Sequence, residues 1–208
     1  MNEFMWDIEK SLVAEGYDTI AGVDEAGRGP LAGDVYAAAV ILPFGAVIEG
    51  LDDSKKLTEK RREELFDEIT ATATAYGIAS ASVAEIAEHN ILGATYIAMN
   101  RALELLPPCE SEGFVALIDG NRKRGVQYAA RCVVKGDSLS ASIASASILA
   151  KVSRDREMRR LDAAYPAYGF AKHKGYGTAA HYAALRELGA VEVHRELFLR
   201  KFYEAEAQ

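Results

Sequence analysis

Cysteine is scarce in this sequence, and long apolar runs are absent. The 208 residues contain two cysteines, Cys109 and Cys132, and neither stands in the spacing of a disulfide framework, a CxxC pair or a zinc site. We therefore expect two buried thiols in a reducing compartment. No apolar run approaches the ~20 residues of a membrane span, and residues 1–10 lack the basic-then-apolar pattern of a secretory signal. These absences predict a cytoplasmic protein with no membrane partner.

Positive charge is also short overall, but it is unevenly distributed. The chain has 24 Lys and Arg against 31 Asp and Glu, a formal net charge of −7. Residues 121–174 nevertheless hold 12 basic against 4 acidic residues, whereas the rest of the chain holds 12 against 27. Because local charge decides where a polyanion docks, this region is compatible with a nucleic-acid surface. An ordinary solvated face is the alternative, and charge alone does not separate the two.

The apolar half of the sequence is enough to bury a substantial core. Short apolar runs predict strands over Thr19–Val23, Val35–Leu42, Tyr76–Val83, Phe114–Ile118 and Val126–Val134. Helical spacing predicts helices after Asp53-Ser54 and over Ile91–Leu106, Ser138–Leu161, Ala179–Leu188 and Val193–Glu204. This alternation indicates an α/β fold around a central sheet. We place a catalytic domain at residues 1–165 and a small C-terminal helical subdomain at residues 166–208.

Acidic residues stand where three predicted strands run into turns. Asp24-Glu25, Asp119 and Asp137 each follow an apolar run and precede a glycine or another small residue. Carboxylates gathered at one end of a sheet would repel one another unless divalent cations lay between them, and oxygen ligands suit Mg²⁺ or Mn²⁺. Two such ions about 4 Å apart can activate a water and stabilise the leaving oxygen in phosphodiester cleavage. For each acid taken alone, a helix or turn cap is the alternative.

Residues 22–33, GVDEAGRGPLAG, suggest a nucleotide-binding loop that their details exclude. Gly22 and Gly27 have the glycine spacing of a phosphate loop, but Arg28-Gly29 replaces its Lys-Ser/Thr pair. The later glycines do not give the GxGxxG pattern, and Asp24-Glu25 would repel a pyrophosphate. A nucleotide cofactor is therefore not expected.

The same segment resembles the signature of the ribonuclease HII family. The resemblance continues in order through DSKKL at 53–57, IDG at 118–120, KGD at 135–137, SASIASASILAKVSRD at 140–155 and GF with HKGYGT at 169–178. It implies a ribonuclease H-like fold, with a mixed five-stranded central sheet flanked by helices and a C-terminal helical subdomain. It implies a metal-dependent endoribonuclease that hydrolyses the RNA strand of RNA/DNA hybrids. It also implies cutting 5′ to single ribonucleotides embedded in duplex DNA, which would leave 3′-hydroxyl and 5′-phosphate ends and remove misincorporated ribonucleotides.

Residue by residue, the resemblance implies a centre of four carboxylates with two Mg²⁺ or Mn²⁺ ions in the active complex. The catalytic, metal-binding residues would be Asp24, Glu25, Asp119 and Asp137. Gly27, Arg28 and Gly29 would read the ribose 2′-hydroxyl through backbone groups, and Tyr176 would stack at the junction nucleotide. The physical logic agrees, because only the 2′-hydroxyl separates RNA from DNA at one position and glycine lets the backbone approach it.

Further polar residues that flank these motifs are predicted to contact substrate phosphates: Lys55, Lys56, Lys135, Ser138 and Lys174. Backbone amides and hydroxyls at a helix start can bind a phosphate, which is the argument for Ser138. Solvated lysines and a helix cap are the alternatives. We expect Ser142 to be a packing or capping residue and His173 a polar contact rather than a general base. The basic residues at the end of the long helix can oppose its dipole or pair with nearby acids.

A comparison with the related type 3 enzymes, one departure from the family pattern and two rival functions complete the prediction. Related type 3 enzymes usually carry Gly-Lys-Gly in place of Gly27-Arg28-Gly29, so the type 2 family is favoured. Asp34 stands where a small residue or proline is expected, and we expect a solvent-facing turn residue there. A metal-dependent DNA nuclease and a non-catalytic hybrid-binding module are the rivals. No obligate protein partner is evident beside the nucleic-acid substrate.

Overall fold

The computed structural model describes residues 3–107 and 112–206. Within them, one sheet contains the strands β1 (Thr19–Ala26), β2 (Val35–Ile41), β3 (Ala75–Ala81), β4 (Phe114–Asp119) and β5 (Ala130–Val133). Their order across the sheet is β3-β2-β1-β4-β5. β1 pairs antiparallel with β2 and parallel with β4, and β4 pairs parallel with β5. The sheet is mixed and five-stranded, so the expected fold is confirmed.

Helices flank the sheet, and along the chain they precede, separate and follow its strands. They are α1 (Asp7–Ala14), α2 (Glu59–Thr72), α3 (Val83–Glu104), α4 (Ala141–Ala164), α5 (Phe170–His173), α6 (Ala179–Leu188) and α7 (Glu196–Glu206). Short 3-10 helices occupy Glu3–Trp6, Gly136–Ser138 and Pro166–Tyr168. No helix within the described ranges is long and apolar enough to cross a membrane.

The alanine-rich strand β2 shows how both faces of the sheet are covered. Successive side chains of a strand point to opposite faces. Ala37 and Ala39 pack in a cluster with α3, whereas Ala38 and Val40 pack in a second cluster with α2 and α4. Because both faces are buried, the strand is an unbroken apolar run rather than an alternating one. That burial made β2 visible in the sequence.

Helix α4 crosses β1 with almost no space between the two backbones. A Cβ atom built on Gly22 would lie 2.0 Å from the carbonyl carbon of Ser142. Only glycine fits at this crossing, and Ser142 is a buried packing residue, as expected. The contact brings the start of α4, and the turn that precedes it, beside β1 at the place where Asp24 follows.

The start of α2 differs from the predicted one. The helix begins at Glu59 rather than after Asp53-Ser54, because the Thr58 side chain accepts a hydrogen bond from Arg61 N at 3.2 Å and caps it. The carboxylate of Asp53 instead closes a turn by accepting from Lys55 N at 2.9 Å. Both Asp53-Ser54 and Thr58 could cap a helix, and Thr58, which directly precedes the first helical turn, is the residue that does.

The start of α4 was also predicted too early. The helix begins at Ala141, with Ser140 Oγ accepting from Ile143 N at 3.2 Å. Ser138 belongs to the preceding 3-10 helix, so it is not in the first turn of α4. The reason is the left-handed backbone of Lys135, with φ of 59°, which starts a separate turn before the helix. The strand predicted over Val126–Val134 likewise shortens to β5.

The burial of two side chains differs from the prediction: Cys132 is more exposed than expected, and Asp34 is less exposed. Cys132 is only partly buried, because β5 is an edge strand, and Cys109 lies outside the described residues. Asp34 does not face solvent freely: it is half-buried, and its carboxylate accepts hydrogen bonds from Val83 N at 3.2 Å and Ser80 Oγ at 3.5 Å. Asp34 therefore ties the loop after β1 to the first residue of α3.

The C-terminal helices share a third apolar cluster with the end of α4. It includes Leu31, Met158, Leu161, Tyr168, Phe170, Leu185 and Leu199. Leu31 belongs to the loop after β1, so the C-terminal segment packs against the loop that carries the family motif. A boundary at residue 165 stays a prediction.

Candidate active site

Two of the predicted carboxylates converge because β1 and β4 are parallel neighbours. The register pairs Val23 with Ile118, so the next residues, Asp24 and Asp119, are neighbours at the same edge of the sheet. Glu25 follows on β1, and its backbone N–H donates to Asp24 Oδ1 at 2.7 Å. An apolar strand that ends in an acid thus delivers each carboxylate to the same place.

Asp137 reaches this edge from the turn before α4. The backbone N–H of Gly136 donates to Asp119 Oδ1 at 2.7 Å and fastens the turn to the end of β4. Asp137 is buried, and its Oδ2 accepts an ion-paired hydrogen bond from Lys55 Nζ at 2.9 Å. The fold therefore gathers all four predicted carboxylates at one edge of the sheet, with one lysine beside them.

Burial, together with repulsion between neighbouring acids, sets the electrostatics of this cluster. Burial, followed by the charges of Glu25 and Asp119, raises the pKa of Asp24 well above its usual value. Burial also raises the pKa of Glu25, although Arg28 Nη1 lies 3.1 Å from its carboxylate. Burial raises the pKa of Asp119, and the nearby charge of Asp137 adds to the effect. Each carboxylate makes ionisation of its neighbours more costly.

The donor set fits a hard divalent cation. In the described part of the chain, no group of three or more His, Cys, Asp and Glu stands close enough together to enclose an ion as it is. The fit rests on chemistry: the donors are carboxylate oxygens, which suit Mg²⁺ or Mn²⁺ rather than soft metals. Lys55 and Arg28 each supply one positive charge against four carboxylates, and the remaining negative charge is what bound cations would neutralise.

A cleft of about 270 Å³ opens beside the carboxylates. Of the predicted site residues, its lining contains Asp24, Glu25, Asp119, Gly27, Arg28, Gly29, Lys55 and Tyr176. The two ends of the motif, the acids of β1 and the glycine loop after it, therefore form adjoining walls of one space. Tyr176 comes to the same space from a turn some 150 residues later in the chain.

The other predicted phosphate contacts lie outside that lining. Lys56 pairs with Asp52 at 3.0 Å, and Ser138 Oγ donates to Lys135 O at 3.0 Å. Lys174 Nζ lies 3.5 Å from Glu59. Their roles toward a substrate stay predictions, and the same holds for Lys135, which is exposed.

Sequence reasoning missed one wall of the cleft. Ser147, Lys151 and Arg154 lie along one face of α4 and line it, together with Ser54, whose Oγ is 3.0 Å from Ser147 Oγ. The expected pairing of this helix's basic residues with nearby acids is confirmed for Lys151, which lies 2.5 Å from Asp155. It does not describe Arg154, a buried residue whose guanidinium donates to the carbonyls of Lys174 and Ala32. The spacing i, i+4, i+7 is the signal that places these three side chains on one face.

The two glycines of the Gly27-Arg28-Gly29 loop are under different structural constraints. Gly27 has a φ of 98°, and a Cβ on it would lie 2.0 Å from Arg154 Nε. Gly29 has neither constraint: its φ is not left-handed, and its added Cβ would only touch Tyr176 Cε1 at 3.6 Å. Gly27 is thus required by the fold, whereas Gly29 leaves room for about one methyl group between the loop and an exposed tyrosine ring.

Comparison with known proteins decides among the possible families. The sequence profile of a family described as Ribonuclease HII matches residues 21–203. The chain belongs to the ribonuclease HII family. Ribonuclease HII of Ruminiclostridium cellulolyticum is 51% identical over 96% of this chain and 77% of its own length. Ribonuclease HII of Geobacter sulfurreducens is 53% identical over 93% and 88% of the two chains.

Solved structures agree with the family. The ribonuclease H2 of Pyrococcus horikoshii OT3 superposes with a TM-score of 0.70 at 25% identity, over 91% of this chain and 99% of that one. A ribonuclease HII of Archaeoglobus fulgidus, solved in complex with PCNA, gives 0.67 at 25% identity over 91% and 97%. A ribonuclease HIII solved with Mn²⁺ gives 0.64 at 21% identity, over 86% of this chain and 64% of that one, and shares the fold.

Family membership settles the broad function. Ribonucleases HII are metal-dependent nucleases that act on RNA/DNA hybrids, so this chain is an endoribonuclease of the ribonuclease H type. The type 2 prediction is confirmed. The family assignment favours this function over both rivals, a non-catalytic binding module and a general DNA nuclease.

Proposed function

We propose that this ribonuclease HII cuts the RNA strand of hybrids and also cuts 5′ to a single ribonucleotide embedded in duplex DNA. The products would carry 3′-hydroxyl and 5′-phosphate ends. One observation carries the proposal: a single cleft is lined by three of the four carboxylates, Asp24, Glu25 and Asp119, and by the Gly27–Gly29 loop with Tyr176. If the cleft recognises one ribose beside the carboxylates, a single ribonucleotide is sufficient for cutting.

Discrimination would come from the gap beside Gly29. The 2′-hydroxyl is both a donor and an acceptor, so backbone N–H and C=O groups can recognise it if they come close enough. Gly29 keeps that approach free of a side chain, and the fold itself does not require glycine there. The half-exposed ring of Tyr176 provides an apolar face against the sugar or base of the junction nucleotide.

The residues that would hold two Mg²⁺ or Mn²⁺ ions are Asp24, Glu25, Asp119 and Asp137. When bound, such cations supply activation of the attacking water and stabilisation of the leaving oxygen. The chain's own contribution is to hold these acids in place: Gly136 N–H orients Asp119, and Lys55 Nζ orients Asp137.

Basic and hydroxyl groups around the cleft would fix the phosphates of the substrate. Lys55 is the best placed, since it lines the cleft while it pairs with Asp137. Lys56, Lys135, Ser138 and Lys174 would contact the strand further from the cut. These contacts position the nucleic acid but carry no sequence information. The proposed partners are RNA/DNA hybrids and DNA duplexes that contain ribonucleotides.

The deciding experiment uses an end-labelled DNA duplex that contains one ribonucleotide, incubated with the protein and Mg²⁺ or Mn²⁺. A long RNA/DNA hybrid is the second substrate, and an all-DNA duplex and an Asp119→Asn variant are the controls. A single cut 5′ to the ribonucleotide, absent from both controls, is the expected result. Cutting of a long hybrid but not of the embedded ribonucleotide would reject the single-ribonucleotide activity, and equal cutting of all-DNA would reject ribose discrimination.

A further inference from the structure

The wall of the cleft that faces the ribose is assembled from two turns that are far apart in sequence. One is the loop of residues 27–33 after β1, and the other is the Tyr176 turn before α6. Leu31 N donates to Gly175 O at 2.8 Å and joins them directly. A third segment, Val193–Arg195, runs beside the loop: Gly33 N donates to Val193 O, and Arg195 N donates to Leu31 O, both at 2.8 Å.

The guanidinium of Arg195 donates its hydrogen bonds to backbone carbonyls of the loop and the residue after it. Nε donates to Gly33 O at 2.8 Å, and the two Nη atoms donate to the carbonyls of Gly27 (2.7 Å), Arg28 (3.2 Å), Pro30 (2.9 Å) and Asp34 (3.1 Å). A guanidinium has five N–H donors, so every one of them is taken by a backbone carbonyl of residues 27–34. The side chain is buried, at 2% exposure.

These bonds have a consequence for the other side of the loop. Carbonyls that converge on one buried cation all point inward, and the loop backbone is held in a single curve around it. An ammonium has three donors and no planar fork, so lysine cannot satisfy the same five carbonyls. Arginine is therefore required at position 195 for the geometry of its five donors and not only for its positive charge.

His194 reaches the second turn through His181. Val191 N donates to His194 Nδ1 at 3.0 Å, which leaves the proton of His194 on Nε2. Nε2 lies 3.0 Å from His181 Nε2, so His181 accepts there and carries its own proton on Nδ1. That Nδ1 lies 3.0 Å from Tyr176 O and donates to it. His194 Nδ1 also lies 3.2 Å from Val191 O, but that carbonyl already accepts from His194 N at 2.8 Å. The tautomers follow from Tyr176 O, which can only accept, so His181 donates from Nδ1 and accepts at Nε2.

We propose that His194 and Arg195 are positioning residues for substrate discrimination, which hold the Gly27–Gly33 loop and the Tyr176 turn in the one arrangement that recognises a ribose. Neither residue touches the substrate. Arg195 fixes the loop, and His194 fixes the backbone of Tyr176 through His181. The inference rests on the proposed reading of the ribose by that loop and by Tyr176.

The test measures binding without cutting, in an Asp119→Asn background. Fluorescence anisotropy gives Kd for a duplex with one ribonucleotide and for the same all-DNA duplex. We expect the parent to prefer the ribonucleotide about tenfold, the value of one well-made hydrogen bond. Adding Arg195→Lys should abolish this preference and leave the all-DNA Kd within about twofold of the parent. Arg200→Lys, the same change at an exposed position of α7, should keep the preference.

The outcomes separate the inference from the function on which it rests. A purely structural role for Arg195 would weaken both complexes together and leave their ratio unchanged, which would overturn the inference. A parent that shows no preference would overturn the ribose reading itself, and the inference with it. Loss of the ratio in Arg195→Lys alone supports both.

A second pair of variants decides the matter if Arg195→Lys does not fold. Asparagine at position 194 places its amide near the Nδ1 position, whereas glutamine reaches the Nε2 position. His194→Gln can keep the contact with His181, and His194→Asn cannot. We expect the ribonucleotide preference to survive in His194→Gln and to fall several-fold in His194→Asn. Equal preferences in the two variants would overturn the role of His194.

Discussion

At the scale of single residues, the two outer glycines of the Gly27-Arg28-Gly29 motif predict opposite phenotypes. Gly27→Ala must place a Cβ at φ of 98° and 2.0 Å from Arg154 Nε. We expect it to lower the free energy of unfolding by more than the ~1–2 kcal/mol of a left-handed residue alone. Gly29→Ala meets no such obstacle, so its stability should be that of the parent, while its cutting at an embedded ribonucleotide should fall at least tenfold.

Urea unfolding and kcat/KM on the single-ribonucleotide duplex check both expectations. Gly45→Ala is the matched control, because Gly45 has a φ of 78° with nothing within 4 Å of an added Cβ, and it isolates the backbone strain. If Gly29→Ala unfolds as easily as Gly27→Ala, the space beside Gly29 serves the fold and not the substrate.

At the scale of elements, one buried carboxylate docks α1 against the start of α4. Glu9 is 1% exposed, and its Oε1 accepts from Ser140 Oγ at 2.6 Å and from Ser142 N at 3.2 Å. Burial raises its pKa, and the hydrogen bonds from Ser140 and Ser142 only partly oppose this. Glu9 thus braces the cap of the helix that follows Asp137.

Two substitutions separate the hydrogen bonds of Glu9 from its charge. Glu9→Ala leaves buried donors without an acceptor and should destabilise by about 1–3 kcal/mol. Glu9→Gln keeps an acceptor and removes a carboxylate that burial disfavours, so at neutral pH it should be at least as stable as the parent. Thermal and urea unfolding of the three proteins provide the measurement. A glutamine variant as unstable as the alanine one would show that the negative charge at the start of α4 is itself needed.

The elements also show where prediction from sequence ends. β1 and β4 were predictable because an apolar run that ends in an acid is a local signal, and α6 was predicted to the residue. α1 was missed because it is short and its buried side carries Glu9 beside Leu12. The role of Arg195 was not visible, since its partners are carbonyls at residues 27–34 and nothing in a single sequence marks an arginine whose donors all meet distant backbone. Long-range polar contacts of this kind appear only in three dimensions.

At the scale of the whole molecule, ion pairs with other segments neutralise part of the positive charge of residues 121–174. Arg156 and Arg159 on α4 pair with Glu63 on α2 at 2.6 and 2.5 Å. Exposed positive charge near the centre remains in the loop after β4, where Arg122 lines a second cleft that also contains Glu25 and Asp119. We infer that this loop contributes electrostatic attraction for the duplex.

Arg122→Gln should therefore weaken the ribonucleotide-containing and all-DNA duplexes alike, several-fold at low salt. It should also reduce the slope of log Kd against log salt by about one. Arg131→Gln is the matched control, since Arg131 lies in the same segment but pairs with Glu15 and does not line either cleft of the centre. Anisotropy titrations at several salt concentrations provide both quantities. An unchanged slope for Arg122→Gln, or equal effects at Arg131, would remove Arg122 from the binding surface.

The histidines link the stability of the whole molecule to pH. His181 is fully buried, stacked on His173 and 3.0 Å from His194. Burial, the largest cause, lowers the pKa of His181 to about 4, and the neighbouring histidines add to the effect. The unfolded chain therefore takes up a proton as the pH falls from about 6.5, whereas the folded protein does not until about 4. Stability that is present above pH 6.5 is lost through this window.

The loss attributable to His181 should reach roughly 3 kcal/mol at most, from about 1.4 kcal/mol for each unit by which its pKa differs between the two states. The measurement is the free energy of unfolding in urea at several pH values between about 7.5 and 4.5, for the protein and for His181→Gln. Carboxylates with raised pKa, such as Asp24 and Glu9, act in the opposite sense, so the difference between the two proteins isolates the histidine. The protein should lose more stability than the variant as the pH falls. Parallel curves would mean that His181 takes up its proton at the same pH in the folded and unfolded states, and the neutral relay from Val191 to Tyr176 would then be lost below about pH 6.5.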